Sequence, residues 1–272
     1  MDTIEQSKTL IHFGHANGLP AQVYTKLFDL LADDYHVIYP SCSLGTSPEF
    51  PVDKDWSNLA DQIIQSIEQQ ANGHQVIGIG HSLGAVSTLL ASFKRPDLFK
   101  QVILLDPPLI MGVASFAFDI AKRFFPKKVD QMTPAKLSLK RRDHWESRQQ
   151  AFDLLHSKKL YQAFDPACFQ AYIDYGLVED VVNGGVTLTI PKAIEVEIFR
   201  SGPSYWWLPH KKPEMPVHMI AGSESPFLKQ KFPQIAKKKL GIPYTVFNGG
   251  HMFPLEHPVE IVALIQDLIK KI

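Results

Sequence analysis

Three short stretches carry residue types suited to acyl chemistry. Gly80-His81-Ser82-Leu83-Gly84 follows the apolar run Gln75-Val76-Ile77-Gly78-Ile79. A serine flanked two residues away by glycines, at the exit of a buried strand, fits a sharp turn that projects its hydroxyl into solvent. That hydroxyl is a weak nucleophile until a base takes its proton. His251, in Asn248-Gly249-Gly250-His251-Met252-Phe253-Pro254, is the candidate base. An imidazole with a pKa near 6.5 can accept a proton at neutral pH. The bland alternative is a helix-start histidine packed on the core.

A carboxylate must then fix the histidine tautomer and balance the imidazolium. Two candidates are open. Asp106 ends Leu104-Leu105-Asp106-Pro107-Pro108, and Glu224 lies in Ala221-Gly222-Ser223-Glu224-Ser225-Pro226. Asp106 is the favoured acid because it closes a strand on the same rim as Ser82, although an aspartate before proline is also a common turn residue. The Leu83 N–H, at the start of the next helix, is placed to stabilise an oxyanion.

These residues need a frame that sets strand ends side by side. Short apolar runs at 10–13, 36–39, 75–79, 102–105, 217–220 and 244–247 alternate with helical patterns at 21–31, 56–70, 83–93, 227–239 and 258–269. Continuous apolar strands alternating with helices predict a doubly wound, mostly parallel sheet covered on both faces, an α/β fold. The interval 109–210 breaks the alternation and is too long for a loop in a compact domain. We therefore expect a core from 1–108 and 211–272 with an inserted, mostly helical lid over 109–210. Helical patterns in the insertion cover 114–125 and 141–155. Its Lys140-Arg141-Arg142 cluster is expected to be a solvated face.

The bulk numbers narrow the function. The 272 residues are 45% hydrophobic, and Lys+Arg and Asp+Glu both number 28. A balanced charge offers no footprint for nucleic acid. No run approaches the ~20 apolar residues of a membrane span. Met1-Asp2-Thr3-Ile4-Glu5 lacks the basic-then-apolar pattern of a signal peptide, so a cytoplasmic protein is expected. Its two cysteines, Cys42 and Cys168, are expected as separate thiols. No histidine pair has metal-ligand spacing beside a carboxylate, and the glycines after strand 75–79 miss the dinucleotide fingerprint. No metal or cofactor is expected.

Taken together, Gly80-His81-Ser82-Leu83-Gly84, His15-Ala16-Asn17-Gly18-Leu19-Pro20 and Asn248–Pro258, each after an expected strand, resemble the α/β-hydrolase superfamily over nearly the whole chain. The resemblance implies Ser82 as nucleophile, His251 as base and an oxyanion hole. Relatives show His-Gly-x-Pro where this chain has Asn17-Gly18-Leu19-Pro20, which aligns the Leu19 N–H as the second donor beside Leu83. Their acid often follows the penultimate strand, where this chain has Ser225, and some place it at the position of Asp106. Substrate contacts are expected from Asn17, His81, Trp145 and Trp206, with Asn17 favoured as a loop brace.

The implied activity is a serine hydrolase acting on a carboxylic ester or related acyl compound with an apolar portion. A thioesterase, a carbon–carbon hydrolase, an acyltransferase and a non-catalytic binding or sensor protein stand as alternatives. A homodimer is compatible with this reading.

Overall fold

The computed structural model describes residues 8–271. The reading of Met1–Glu5 lies outside the described residues. Six parallel strands form the central sheet: β1 (Thr9–Gly14), β2 (Tyr35–Ile38), β3 (Val76–His81), β4 (Phe99–Leu105), and after the insertion β8 (Val217–Gly222) and β9 (Tyr244–Phe247). Their order is β2-β1-β3-β4-β8-β9. Three short strands inside the insertion, β5 (His144–Trp145), β6 (Leu177–Glu179) and β7 (Val186–Leu188), make a separate antiparallel sheet in the order β5-β7-β6.

The two-residue period of the strands divides the core into two layers. Ile11, Phe13, Ile77, Ile79, Ile103, Leu105 and Ile220 face one layer, which also buries Leu27, Leu31, Ile261 and Ile265. Val76, Val102, Leu104, Val217 and Met219 face the other, with Leu59, Ile63, Ile67, Leu89 and Ala236. Helix Ser57–Gln70 presents Leu59, Ile63 and Ile67 to the sheet at helical spacing and turns Glu68 outward. Helix Leu83–Lys94 is apolar nearly all round because it lies buried between β3 and helix Ser57–Gln70. Burial on both faces explains why its sequence shows little amphipathic contrast.

Parallel strands place all their C-terminal ends on one rim, where ligands of such sheets bind. His15, Ser82, Asp106, Ser223–Ser225 and Asn248–His251 all follow strand ends there. The turn after β3 demands glycine at two positions. A Cβ on Gly84 would overlap the Gly14 carbonyl, and one on Gly80 would overlap Gly84. The Gly84 N–H donates to the His15 carbonyl at 3.0 Å, locking the two loops together. Gly84→Ala is expected to cost more than about 4 kcal/mol or to prevent folding. Urea unfolding checks this, and a loss below about 1 kcal/mol would contradict it.

The insertion departs from the expected pattern. Helix Val113–Phe124 lies where its periodicity placed it. The helix expected over 141–155 is confined to Arg148–His156, because Ser147 caps it by accepting from the Gln150 N–H while His144 and Trp145 enter β5. The helix expected over 227–239 is split into Pro226–Lys229 and Phe232–Leu240, with Lys231 at φ 62 between them. No helix among the described residues is long and apolar enough to cross a membrane.

Candidate active site

Ser82 sits at φ 53 and ψ −115, a backbone conformation that a non-glycine residue holds only where its surroundings enforce it. The enforcement is visible: its N–H donates to Leu105 O at 3.0 Å, and the chain enters helix Leu83–Lys94 immediately afterwards. The Ser82 hydroxyl lies 3.0 Å from His251 Nε2. His251 Nδ1 lies 2.6 Å from Asp106 Oδ2. With Nδ1 protonated against the carboxylate, Nε2 is free to accept the serine proton. This arrangement can generate a serine nucleophile and return the proton to a leaving group.

Asp106 is held at φ 42, buried at 1% exposure. Its Oδ1 accepts from the Gly222 N–H at 3.0 Å, and its Oδ2 accepts from the Ser225 hydroxyl at 2.7 Å. Ser225, fully buried, stands where the resemblance usually places the acid, and here it serves the acid instead. Glu224, the alternative acid, is exposed, and the His251 ring nitrogens pair with Asp106 and Ser82 instead. Its backbone N–H binds Gly249 O, which turns the side chain outward.

His81 is buried and does not line the cavity. Its ring bridges the Tyr24 hydroxyl at 2.7 Å and the His251 carbonyl at 2.9 Å. Nε2–H can donate only to that carbonyl, so Nδ1 accepts from Tyr24. The Tyr24 oxygen in turn accepts from the Ala16 N–H at 3.4 Å. One neutral imidazole thus ties the loop after β1 to the loop carrying His251. Sequence reasoning missed Tyr24, which sits in an ordinary apolar helix pattern.

His15 Nε2 accepts from the Leu44 N–H at 2.8 Å, leaving Nδ1–H for its neighbour's carbonyl, Ala16 O, also at 2.8 Å. His15 thus braces this loop from within, alongside Asn17. Asn17 lines the cavity and donates its amide to Glu195 O at 3.0 Å.

Burial holds three histidines neutral: the pKa of His12 and of His81 falls to about 3, and that of His15 to about 4, from 6.5. Burial is the main cause in each, and for His81 the neighbouring His251 adds to it. The unfolded chain binds these protons more readily, so stability is complete above pH ~6.5 and is lost as pH falls towards 4. Each histidine is expected to remove on the order of 1 kcal/mol per pH unit in that window. Urea midpoints at pH 7.5, 6 and 5 check this, and a flat profile would contradict it.

The loop after β1 also bears on the second oxyanion donor expected at Leu19. The Leu19 N–H is already bonded to Ala16 O at 3.1 Å. Among the described residues, the backbone N–H groups of Asn17 and Leu83 have no acceptor, and both residues line the cavity that holds Ser82 and His251.

That cavity has a volume of about 370 Å³ and is walled mainly by apolar side chains, including Ile110, Phe118, Met132, Phe199 and Phe227. Phe227 packs edge-on against His251, with centroids 5.2 Å apart. Trp145 and Trp206 lie outside the cavity. Trp145 is buried in the small sheet of the insertion, and Trp206 packs against Phe93 and His210 beside a different cleft. Both rings fill interior space instead of reaching the site. Arg141, expected on a solvated face, instead lines the cavity, paired with buried Glu195 at 2.8 Å. Among the described residues no group of three or more His, Cys, Asp or Glu could hold a metal ion.

The sequence model of the alpha/beta hydrolase family matches residues 10–264. A type I acyl-CoA thioesterase, mpaH, of Penicillium brevicompactum is 25% identical over 216 residues, which are 67% of this chain and 47% of that protein. The Karrikin insensitive 2 receptor IA of Petunia hybrida is 30% identical over 133 residues, 47% of each chain. The chain thus spans about half the length of the curated relatives it matches. Among solved structures, E-2-(acetamidomethylene)succinate hydrolase aligns with a TM-score of 0.72 at 21% identity, covering 97% of this chain and 92% of that one. The thioesterase domain from the curacin biosynthetic pathway aligns with a TM-score of 0.70 at 16% identity, covering 96% and 92%. At these identities the two structures speak for the fold alone.

Proposed function

Because the chain belongs to the alpha/beta hydrolase family, we propose that it is a serine hydrolase cleaving a carboxylic ester or thioester. The observation that carries the reading is the continuous relay Ser82 Oγ, His251 Nε2, His251 Nδ1 and Asp106 Oδ2, with links of 3.0 and 2.6 Å. In the proposed mechanism the Ser82 oxygen attacks the carbonyl carbon while His251 takes its proton. Charge builds on the carbonyl oxygen, and the Leu83 and Asn17 N–H groups receive it. The tetrahedral intermediate collapses, and the alcohol or thiol leaves with the proton from His251. Water then repeats the sequence on the acyl-enzyme, and the acid is released. Asp106 keeps His251 in the productive tautomer throughout.

The insertion acts as a lid in this reading. It covers the rim with apolar side chains, excludes water and fits a substrate with an apolar portion. Thioester cleavage is the more specific version favoured by the thioesterase relatives, and the same triad would serve either bond.

A panel of 4-nitrophenyl esters and acyl thioesters of graded chain length tests the function. The expected result is release of the free acid, with a preference for one class of leaving group. Stoichiometric binding of acyl compounds without turnover of any of them would favour a binding protein on the same scaffold and contradict the proposal.

A further inference from the structure

Arg141 is a charged side chain, only partly satisfied by its own protein, in a cavity walled mainly by apolar groups. Its side chain is 23% exposed and lines the cavity of Ser82, where it is the sole Lys or Arg among the lining residues. Glu195 lies 2.8 Å from its Nη1 and is 6% exposed. This contact is an ion pair with a buried carboxylate oxygen, Glu195 Oε2. The other carboxylate oxygen, Oε1, takes the Ser138 hydroxyl at 2.5 Å. The one hydrogen bond from the guanidinium goes to the Tyr172 hydroxyl at 3.4 Å, which is long. An arginine carries five N–H donors in a planar fork. Beyond the Glu195 ion pair and the Tyr172 contact, its remaining donors have no acceptor among the described residues.

Location narrows what could fill them. A Cβ built on Gly18 would lie 3.1 Å from Glu195 Oε2 and 3.5 Å from Arg141 Nη1. The ion pair therefore abuts the loop whose Asn17 N–H is placed at the oxyanion. The same loop is tied to Glu195 by the Asn17 amide. Glu195 supplies the counter-charge that keeps a guanidinium in an otherwise apolar cavity. The guanidinium stays partly exposed and lines the cavity that holds Ser82. A planar, bidentate acceptor is the group such a fork fits best.

We infer that Arg141 forms a carboxylate-binding subsite, so that the protein's substrates are acyl compounds carrying a second, free carboxylate a short distance from the scissile carbonyl. The inference rests on the serine-hydrolase reading for the identity of the scissile bond. It needs no change in that mechanism.

The test compares two 4-nitrophenyl esters of matched length, the glutarate monoester and the pentanoate ester. For the native protein, kcat/KM is expected to favour the glutarate monoester by roughly 10²-fold, as for a site that must satisfy buried polar groups. Arg141→Met is expected to abolish that ratio, while Arg141→Lys keeps part of it, because an ammonium lacks the fork. Calorimetric binding of glutarate itself serves as the second readout, on the native protein and on any variant with a native-like melting curve. Tenfold or greater loss of glutarate affinity in Arg141→Met supports the subsite even without turnover.

Equal or better use of the pentanoate ester, with no glutarate binding, would overturn the inference and leave the hydrolase reading standing. No turnover of either ester and no fluorophosphonate adduct on Ser82 would sink the hydrolase reading, and glutarate calorimetry would still decide for or against Arg141.

Discussion

Replacing Ser82 by alanine is expected to lower turnover of the best ester or thioester by roughly 10⁴-fold or more, with little change in stability. The proposed reaction has no route around the missing oxygen. What persists would be the residual catalysis that oxyanion donors and binding alone supply, as in serine proteases stripped of the nucleophile. Stability should hold because Ser82 serves the fold through its backbone: the N–H to Leu105 O and the carbonyl that accepts from Ala85 and Val86. Among the described residues, the one hydrogen-bond partner of its side chain is His251 Nε2. Steady-state kinetics beside a urea titration would check both halves. Retention of more than about a tenth of the activity would show that Ser82 is not the nucleophile.

The second large effect concerns the acid. Asp106→Asn should reduce turnover by about 10⁴-fold, because an amide at this position no longer selects the Nδ1–H tautomer of His251. It also disturbs two further bonds, from the Gly222 N–H and the Ser225 hydroxyl. Glu224→Gln should change turnover by no more than about twofold, since an exposed side chain not paired with His251 has nothing to orient. Kinetics of the two variants side by side separates the carboxylates. A larger loss in Glu224→Gln than in Asp106→Asn would require the loop after β8 to rearrange in the working protein.

Much of this architecture was legible in the sequence, for a physical reason. A parallel sheet buries both faces of its strands, so β1, β3, β4 and β8 stand out as apolar runs. Its chemistry-bearing residues must then follow strand ends, as Ser82, Asp106 and His251 do. Residues whose role depends on long-range contacts were not legible. Arg141 sits in a basic run that looks solvated, and only the fold of the insertion brings it against Glu195, 54 positions later. Ser225 gives no sign that its hydroxyl would support Asp106 across 119 residues.

Short elements escaped for a different reason. β5, β6 and β7 span two or three residues each, too few for any periodicity to register. Trp145 and Trp206 illustrate the limit of composition: large rings in an insertion read equally well as pocket wall or as interior, and here both are interior. The proposal of Asn17 in place of Leu19 as oxyanion donor turned on a single backbone bond, Leu19 N–H to Ala16 O, which a motif alignment does not contain.

In the proposed mechanism Ser82 is chemically activated by His251 and Asp106. The most direct measurement is intact-mass analysis of the native protein after treatment with a fluorophosphonate probe, beside Ser82→Ala and Asp106→Asn. One adduct per native chain is expected, none on Ser82→Ala, and markedly slowed labelling of Asp106→Asn. An unlabelled native protein, or an adduct that persists in Ser82→Ala, would contradict it.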